Sequence, residues 1–240
     1  MKQVTARLLD FLYPAYCHLC STQLSQGRNL CDTCLQQLAP ITDPICSQCG
    51  ENFDGQIDSS FICPNCHNLD LSFEFARAAY QANDNSRRLV HDFKYNRQIH
   101  LASDLAQLTQ HALEDRRFQP YLEKGLLVPV PLHWQRLRKR RFNQSEEITK
   151  HLARQLKLPW ANVLQRHRKT ETQTRFSRKK RLENLRGVFH ARRKHHTTIT
   201  NKKILLIDDV LTTGSTADEC AKTLLENGAQ HVAVLTLLRG

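Results

Sequence analysis

The sequence predicts an α/β domain in which a parallel sheet is flanked by helices, preceded by a small cysteine-rich module. An apolar run followed by a helical pattern occurs over residues 126–157 and again over 203–238. Because strand, loop and helix units that recur in this way place their strands side by side, the sheet is expected to be parallel. Eight of the nine cysteines precede residue 67. We therefore expect an N-terminal helix and the cysteine-rich module over 1–70, and the α/β domain over 71–240.

The other elements follow from hydrophobic periodicity and from proline positions. Leu89, Val90 and Phe93 recur at helical spacing, which predicts a helix around them. Pro129 and Pro131 cannot donate hydrogen bonds to a sheet ladder, so they end a short buried strand. The predicted elements are strands over 73–81 and 126–130 and helices over 85–95, 98–116 and 144–157.

Residues 204–216 are the most informative stretch and read ILLIDDVLTTGST. Four β-forming residues without a polar break suit a central strand that is covered on both faces. Asp208 and Asp209 follow them, and a helical pattern begins near Ser215. Backbone N–H groups at the start of such a helix, together with the helix dipole, favour a phosphate. The paired acids suit the hydroxyl groups of a sugar or a hydrated Mg²⁺ ion.

This strand, acid pair and loop resemble the ribose 5-phosphate loop of the type I phosphoribosyltransferases, which bind phosphoribosyl pyrophosphate (PRPP) there. The resemblance implies a type I phosphoribosyltransferase-like sheet that binds PRPP with Mg²⁺. It also implies that Asp208 and Asp209 hold the ribose 2′ and 3′ hydroxyls. The 5′-phosphate would then lie in the loop formed by Thr212, Thr213, Gly214, Ser215 and Thr216.

The loop departs from part of that superfamily at Thr212, where purine-salvage members usually carry an Asp that serves a purine ring nitrogen. A threonine cannot take up a proton near neutral pH, so the acceptor of the phosphoribosyl group stays open. The plainer interpretation of the stretch is a strand-to-helix turn with an ordinary N-cap and two solvated acids.

The cysteines form four CxxC pairs within the first 66 residues. Each pair can turn two thiolates toward one metal, and two pairs complete a tetrahedral Cys₄ shell, so two zinc ions are predicted. A complete Cys₄ shell leaves no open position for substrate, which makes both metals structural. Interleaved pairing and a disulfide framework are the alternatives. Sequential pairing gives one site from Cys17, Cys20, Cys31 and Cys34 and a second from Cys46, Cys49, Cys63 and Cys66.

The sequence suggests a cytoplasmic protein. The chain starts without a signal peptide, and no stretch approaches the roughly 18 to 20 apolar residues that cross a bilayer. The acid-pair loop is typical of cytosolic metabolite binding, so the thiols are expected to stay reduced.

The positive charge is concentrated in one part of the chain. Residues 133–194 contain 20 lysines and arginines against four acids, a local charge of +16, whereas the whole chain carries +12. A cationic excess confined to one quarter of the sequence indicates an anionic partner rather than general solubility.

Two segments carry this charge. Residues 131–145 follow the 126–130 strand directly, so they are expected at the carboxyl edge of the sheet, where ligands of open α/β sheets bind. Residues 166–189 have little apolar content and are expected to form a long mobile loop that acts as a lid. The first segment offers a track for single-stranded nucleic acid, in which the aromatic residues Trp134 and Phe142 flank the cations Arg138, Lys139, Arg140 and Arg141.

These assignments have plainer alternatives. Phe142 would equally anchor the helix that follows it, and Trp134 would equally pack against the cysteine-rich module. The basic loop would equally be a solvated surface without a catalytic duty.

The order of features along essentially the whole chain is similar to the ComF family. The resemblance implies a zinc-ribbon and phosphoribosyltransferase-like protein of natural competence, the uptake and processing of transforming DNA in bacteria. Single-stranded DNA and a helicase or recombination protein are the implied partners. The features are the CxxC pairs, Phe93-Lys94-Tyr95, Pro129-Val130-Pro131, Phe142-Asn143-Gln144-Ser145, then Arg168, Thr170, Gln173, Arg181 and Asn184, and the acid-pair loop.

Two functions agree with this resemblance. In the first, the protein transfers the phosphoribosyl group of PRPP to an unidentified acceptor, and cations neutralise the departing pyrophosphate. Arg181 or Arg168 would reach over from the mobile loop, and Arg136 would lie near the pyrophosphate. In the second, the pocket only senses its ligand, and the protein works by binding single-stranded DNA or a partner protein.

Overall fold

The computed structural model describes residues 14–24, 28–53, 55, 61–168, 185–192 and 195–240. The helical pattern expected near the start of the chain lies outside these residues. The strands are β1 Ala15–Tyr16, β2 Gln23–Leu24, β3 Ala39–Pro40, β4 Ala76–Gln81, β5 Leu126–Pro129, β6 Leu164–Arg166, β7 Phe189–Ala191, β8 Lys203–Leu211 and β9 His231–Arg239. The α-helices are α1 Asp32–Gln36, α2 Asp84–Tyr95, α3 Ala102–Thr109, α4 Gln119–Lys124, α5 Trp134–Arg140, α6 Gln144–Leu156, α7 His196–Ile199 and α8 Ser215–Glu226.

Five strands form the central sheet, in the order β3, β4, β9, β8, β5. The neighbours β4, β9, β8 and β5 are parallel, while β3 runs antiparallel to β4 at the edge. β8 therefore lies inside the sheet, with Ile207 opposite Leu235 on one side and Pro129 on the other. This arrangement confirms the predicted α/β fold.

Alternate residues of β8 enter two apolar cores, one on each face of the sheet. Leu205 and Ile207 join the core that contains residues of α2, α3 and α6, whereas Ile204 and Leu206 join the core that contains residues of α8. Successive side chains of a strand point to opposite faces, so a strand covered on both faces has no polar position. The unbroken apolar run at the start of β8 follows from this.

The cysteine-rich module shares both cores with the sheet. Its strand β3 is hydrogen-bonded to β4. Cys17 and Cys34 belong to the core on the α2 face, whereas the group that contains Cys46 belongs to the core on the α8 face. The division of the chain at residue 70 stays a prediction about folding units.

The single helix predicted over 98–116 is wrong. The structure has a 3₁₀ turn at Ile99–Leu101, then α3, then a 3₁₀ turn at Gln110–Glu114. At the end of α3 the Thr109 hydroxyl donates to the Leu105 carbonyl (2.7 Å), and such bonds compete with the regular helix ladder. A further 3₁₀ turn, Arg116–Phe118, precedes α4.

The helix α5 inside the first basic segment is not predicted by the sequence pattern. The ring Nδ1 of His133 accepts from the Gln135 backbone N–H (3.3 Å) at its start. Arg141 ends it in the left-handed conformation, with φ 72°. α5 is only seven residues long, too short for a clear apolar period.

The second basic segment begins and ends in a hairpin. β6 and β7 pair antiparallel, with Arg166 opposite Phe189. Most of the lid expected between them, including Thr170, Gln173, Arg181 and Asn184, lies outside the described residues.

Candidate functional site

The acid pair lies near the carboxyl end of β8, where α2 and α6 reach the sheet edge. The Oδ1 atom of Asp208 accepts from the Ser145 hydroxyl (2.8 Å) and from the Asp209 backbone N–H (2.9 Å). Asp209 is buried and forms an ion pair with the Nζ of Lys94. Lys94 reaches it because it stands in the last turn of α2, whose start is fixed by a capping box of Asn83 and Ser86.

Burial raises the pKa of Asp208 to about 7, and the neighbouring charge of Asp209 adds to this rise. The Ser145 hydrogen bond and the Lys94 charge act in the opposite direction. A ligand that brings hydroxyl donors or a cation would favour the charged form. The pair therefore fits the hydroxyls of a sugar and a hydrated Mg²⁺ ion.

The loop after β8 presents the start of α8. Gly214 has φ 78°, a left-handed conformation that favours glycine, and stands at the N-cap of α8. The hydroxyl oxygens of Thr213 and Ser215 lie 2.9 Å apart. The first backbone N–H groups of a helix have no partner within the helix, so this loop combines amide and hydroxyl donors suited to a phosphate. Thr212 is exposed at its beginning.

A buried arginine fixes the backbone just before this loop. Nη1 of Arg239 donates to the carbonyls of Leu211 (2.9 Å) and Gly240 (2.9 Å), and also to the carbonyl of Thr212. Its Nη2 forms an ion pair with Glu51. Glu51 belongs to the turn after Cys49, since its carbonyl accepts from the Cys46 backbone N–H (2.8 Å). The second cysteine group is thus connected to the 212–216 loop through two side chains.

The eight cysteines of the CxxC pairs form two groups of four, with the sulfurs of each group within 4.8 Å of one another. The Sγ atoms of Cys20 and Cys31 are 3.6 Å apart, and those of Cys49 and Cys63 are 3.7 Å apart. A disulfide would hold them at about 2.05 Å, whereas a tetrahedral zinc with bonds of about 2.3 Å sets them about 3.8 Å apart. Each group is therefore a Cys₄ set of zinc-binding type, and the sequential grouping holds.

Backbone N–H groups stabilise the thiolates of both groups. The Cys31 N–H points to the sulfur of Cys17 (3.4 Å), and the Cys63 N–H points to the sulfur of Cys46 (3.3 Å). Gly50, with φ 67°, lies so close to Ala76 that a Cβ atom at residue 50 would be 2.8 Å from the Ala76 carbonyl oxygen. The second group therefore sits directly on β4.

The arginines predicted for the site lie in different places. Arg136 lies close to Arg166, where burial first and the Arg136 charge second lower the pKa of the Arg166 guanidinium. Asp208 opposes this shift, which places Arg166 within electrostatic reach of the acid pair. Arg168 donates to the Arg186 carbonyl (2.7 Å) and joins the two ends of the basic loop. Arg181 lies outside the described residues.

Most of the predicted nucleic-acid residues are exposed. Arg138, Lys139 and Arg141 are exposed to solvent, and Trp134 is 58 % exposed, so more than half of its surface is left uncovered. Arg140 donates to the Tyr95 hydroxyl (2.9 Å).

Of the two interpretations of Phe142, the structure supports the one in which it anchors the helix that follows it. Its ring centroid lies 5.2 Å from that of Phe93, and its side chain packs against the core on the α2 face. Phe142 therefore attaches the start of α6 to α2 and its core, and we leave it out of the nucleic-acid track.

Several residues of the site are missing from the sequence-based assignment. Lys94 and Ser145 occur in the motifs that carry the ComF resemblance, and this is the signal that pointed to them. Arg166 lies at the start of the basic loop, and no motif in the sequence pointed to it. Glu51 and Arg239 are 188 residues apart in the chain, so no local pattern connects them.

The double zinc ribbon domain family matches residues 8–67, and the phosphoribosyl transferase domain family matches residues 143–240. The DNA utilization protein YhgH of Escherichia coli K12 is 32% identical over 231 residues, which cover 94% of this chain and 97% of that protein. Competence protein F of Haemophilus influenzae is 29% identical, covering 93% of this chain and 96% of the relative. Competence protein ComFC of Bacillus subtilis is 27% identical, covering 95% and 96%.

The fold, the two cysteine groups and the loop after β8 define the class of the protein. It joins a double zinc ribbon to a phosphoribosyltransferase domain. Within this class, the family follows from the sequence identity of about 30% that the chain shares with these relatives over nearly its full length. The chain belongs to the ComF family of competence proteins. Among the residues that the structure describes, no helix combines the length and the apolar character needed to cross a bilayer.

Replacing Cys49 by serine is expected to remove one of two bound zinc ions and to lower the free energy of unfolding by roughly 2 kcal/mol or more. The reason is that Cys49 is buried in the core beneath α8. Elemental analysis and thermal unfolding measure both effects. Cys220→Ala removes a buried thiol outside both groups and should keep two zinc ions; full zinc content in Cys49→Ser would contradict the assignment.

Asp208→Asn is expected to flatten the pH dependence of stability. The pKa of Asp208 is about 7 in the folded protein and about 3.9 in an unfolded chain. The folded state therefore binds this proton more tightly, so the contribution to stability is complete below the unfolded pKa and is lost as pH rises toward 7. The unsubstituted protein should lose roughly 1 to 3 kcal/mol from this group between pH 5 and 8.

Urea unfolding at both pH values measures the difference. Asp70 is exposed, so Asp70→Asn serves as the control and should keep the original slope. Equal slopes in Asp208→Asn and the unsubstituted protein would show that the Asp208 proton is not linked to folding.

Proposed function

We propose that the acid pair and the 212–216 loop bind PRPP with Mg²⁺, and that the protein acts in the uptake and processing of transforming DNA in the cytoplasm. The observation that supports the ligand is the joint placement of two carboxylates and a helix start at one strand end. The names of the relatives, which refer to competence and DNA utilization, support the biological role.

Each part of the site has a distinct task in this proposal. Asp208 and Asp209 accept hydrogen bonds from the ribose hydroxyls, and Ser145 and Lys94 hold the two carboxylates in place. The amide and hydroxyl donors of Thr213, Gly214, Ser215 and Thr216 hold the 5′-phosphate, with Thr212 at the entrance of the loop.

The residues around the acid pair also suit a transfer reaction. PRPP supplies an activated ribose carbon and a pyrophosphate leaving group when it is bound. Arg166 lies within electrostatic reach of Asp208, and Arg136 lies close to Arg166. Their two positive charges would stabilise the negative charge of pyrophosphate. Arg168 lies at the start of the basic loop and Arg181 lies within it. Both would add positive charge around the pyrophosphate while the loop excludes water.

A titration of the purified protein with PRPP and Mg²⁺ is expected to give measurable heat. Replacing both acids, Asp208→Asn with Asp209→Asn, removes two charged acceptors and should weaken binding at least tenfold, because one hydrogen bond to a charged group contributes about 1.5 to 3 kcal/mol. Asp70→Asn is the matched control and should bind as before. Absence of heat with the unsubstituted protein would refute ligand binding.

Pyrophosphate release decides between transfer and sensing. A working transferase should release pyrophosphate from PRPP in the presence of nucleobases, amines or single-stranded DNA. Binding without release from any of these acceptors would favour the alternative, in which the pocket senses PRPP and the protein binds DNA or a helicase or recombination partner.

A second function, binding of single-stranded DNA, is favoured by the exposed side of α5. Arg138, Lys139 and Arg141 are exposed beside the exposed ring of Trp134. Cations next to an aromatic platform are typical of sites that hold a nucleic-acid backbone and stack its bases.

Serine substitution of Arg138, Lys139 and Arg141 is expected to weaken single-strand binding and to reduce the slope of log affinity against log salt by roughly 2. Each cation that contacts phosphate releases counterions, which is the reason for the change in slope. Fluorescence anisotropy at several salt concentrations measures it. The triple replacement of the exposed lysines Lys124, Lys202 and Lys222 removes the same charge elsewhere and should leave most of the slope; an equal loss would indicate a diffuse field instead of a track.

A further inference from the structure

A cleft of about 440 Å³ opens between α5, the start of α6 and the hairpin of β6 and β7. Its apolar lining is formed by Pro131, Leu132, Trp134 and Leu137. Trp134 and Leu137 are 58 % and 41 % exposed, although both are large hydrophobic side chains. They stand three residues apart and so lie on the same side of α5. The indole and the leucine therefore offer an open apolar surface that suits a flat ring.

The hairpin lines the same cleft with cationic and hydrogen-bonding side chains. These are Gln165, Arg166, His167 and Arg192. Arg192 donates from Nε to the Leu164 carbonyl (3.4 Å), and its two Nη groups take no part in that bond. A guanidinium group presents its N–H donors as a planar fork that matches a carboxylate or a phosphate. Two such groups at one cleft favour an anionic ligand.

The negative charge at the cleft is compensated within the protein. Glu146 is the only acid among the described residues that line the cleft. Its carboxylate lies 3.1 Å from the ammonium group of Lys150 and accepts from the side-chain amide of Asn162 (3.0 Å). The positive charge of the two arginines therefore exceeds the negative charge of the lining.

The environment of Arg166 makes an anion in the cleft favourable. Burial lowers the pKa of the Arg166 guanidinium, and the charge of the neighbouring Arg136 lowers it further, while Cys220 and Asp208 act in the opposite direction. An anion beside Arg166 would favour its charged form and would offset the repulsion between the two arginines. The cleft therefore combines an apolar surface with positive charge that a negative group would stabilise.

We propose that this cleft binds a small ligand made of a flat aromatic ring with an attached anionic group, a carboxylate or a phosphate ester. The ring lies against Trp134 and Leu137. Arg166 and Arg192 hold the anion, and His167 adds a ring nitrogen on the same side. An apolar lining with a few polar groups, in a cavity of several hundred cubic ångströms, is typical of small-molecule sites. The proposal goes beyond the functions given above and requires neither PRPP nor a DNA strand.

Naphthoate and naphthamide, substituted at the same ring position, form a matched pair of probes, because they differ only in a carboxylate against a neutral amide. Calorimetric titration of the full-length protein is expected to show at least tenfold tighter binding of naphthoate, since hydrogen bonds between charged groups are the stronger ones. Arg192→Gln removes one charge and should reduce this preference about three- to tenfold.

Arg186→Gln is the matched control, because it removes an exposed charge just before β7 that lies outside the cleft lining. It should keep the full preference for naphthoate. Equal affinity for the two probes, or an equal loss of the preference in both variants, would overturn the proposal. Cyclohexanecarboxylate is an anion without a flat ring and should bind more weakly than naphthoate; equal binding would remove the role of the apolar surface.

The position of the ring is measured by NMR. The chain has two tryptophans, so the indole N–H groups of Trp134 and Trp160 give two signals, which Trp134→Phe assigns. Naphthoate is expected to shift the Trp134 signal and to leave that of Trp160, which is outside the cleft lining. Trp134→Ala should weaken binding of both naphthyl probes about three- to tenfold. An unshifted Trp134 signal at saturation would overturn the site.

Two further measurements separate this site from the acid pair and identify the anion. The double variant Asp208→Asn with Asp209→Asn should bind naphthoate at least as tightly as the unsubstituted protein; a loss of binding would assign the probe to the acid pair and overturn the cleft. Naphthyl phosphate distinguishes the two anions, since tighter binding than naphthoate identifies a phosphate ester and weaker binding a carboxylate. Failure of PRPP to bind would leave this proposal intact, and failure of naphthoate to bind would leave the PRPP site intact.

Discussion

The placement of two adjacent carboxylates, one of them buried, near the end of a fully covered strand is the constraint on which the site depends. β8 has apolar cores on both faces, so its polar residues lie toward its two ends, with Lys203 at the start and the acid pair near the other end, where Asp209 is still buried. Elements from distant parts of the chain offset the cost of burying these charges. The helix α2 supplies Lys94, which pairs with Asp209, and the first turn of α6 supplies the Ser145 hydroxyl, which donates to Asp208. Burial and the Asp209 charge still raise the pKa of Asp208, so a ligand with donors or positive charge would favour the charged form of the pair.

The two cysteine groups have different structural roles because they belong to different cores. The first extends the core beside α2, the helix that brings Lys94 to the acid pair. The second is built into the core beside α8 and is connected to the loop by Glu51 and Arg239. Metal binding in such a module would do more than fold a small domain, because both groups adjoin elements that hold the acid pair or the 212–216 loop in place.

Local patterns made the sheet, β8, the loop and the sequential cysteine groups predictable, because each depends on residues close in sequence. α5 was not predictable in the same way, since its seven residues are good helix formers without an apolar stripe. The ion pairs of Lys94 with Asp209 and of Glu51 with Arg239 join residues more than a hundred positions apart. Such contacts exist only once the sheet order is established. Phe142 is a further case in which tertiary packing decides. Its place in an aromatic and basic run suggested a role in nucleic-acid binding, whereas its ring packs against Phe93.

The two edge strands of the central sheet are covered by different parts of the chain, and only one of these covers depends on the zinc-binding module. β3 covers β4 on one side, and its Pro40 has no amide hydrogen to offer to a further strand. On the other side the backbone of β5 is covered by the 159–161 segment, through Leu127 N–H to Pro159 (3.0 Å) and Ala161 N–H to Leu127 (3.1 Å). Only the first cover belongs to the metal-bound module. Zinc starvation would therefore be expected to uncover one flank of the sheet selectively, and strand addition at the uncovered β4 would then offer metal-depleted molecules a route to self-association.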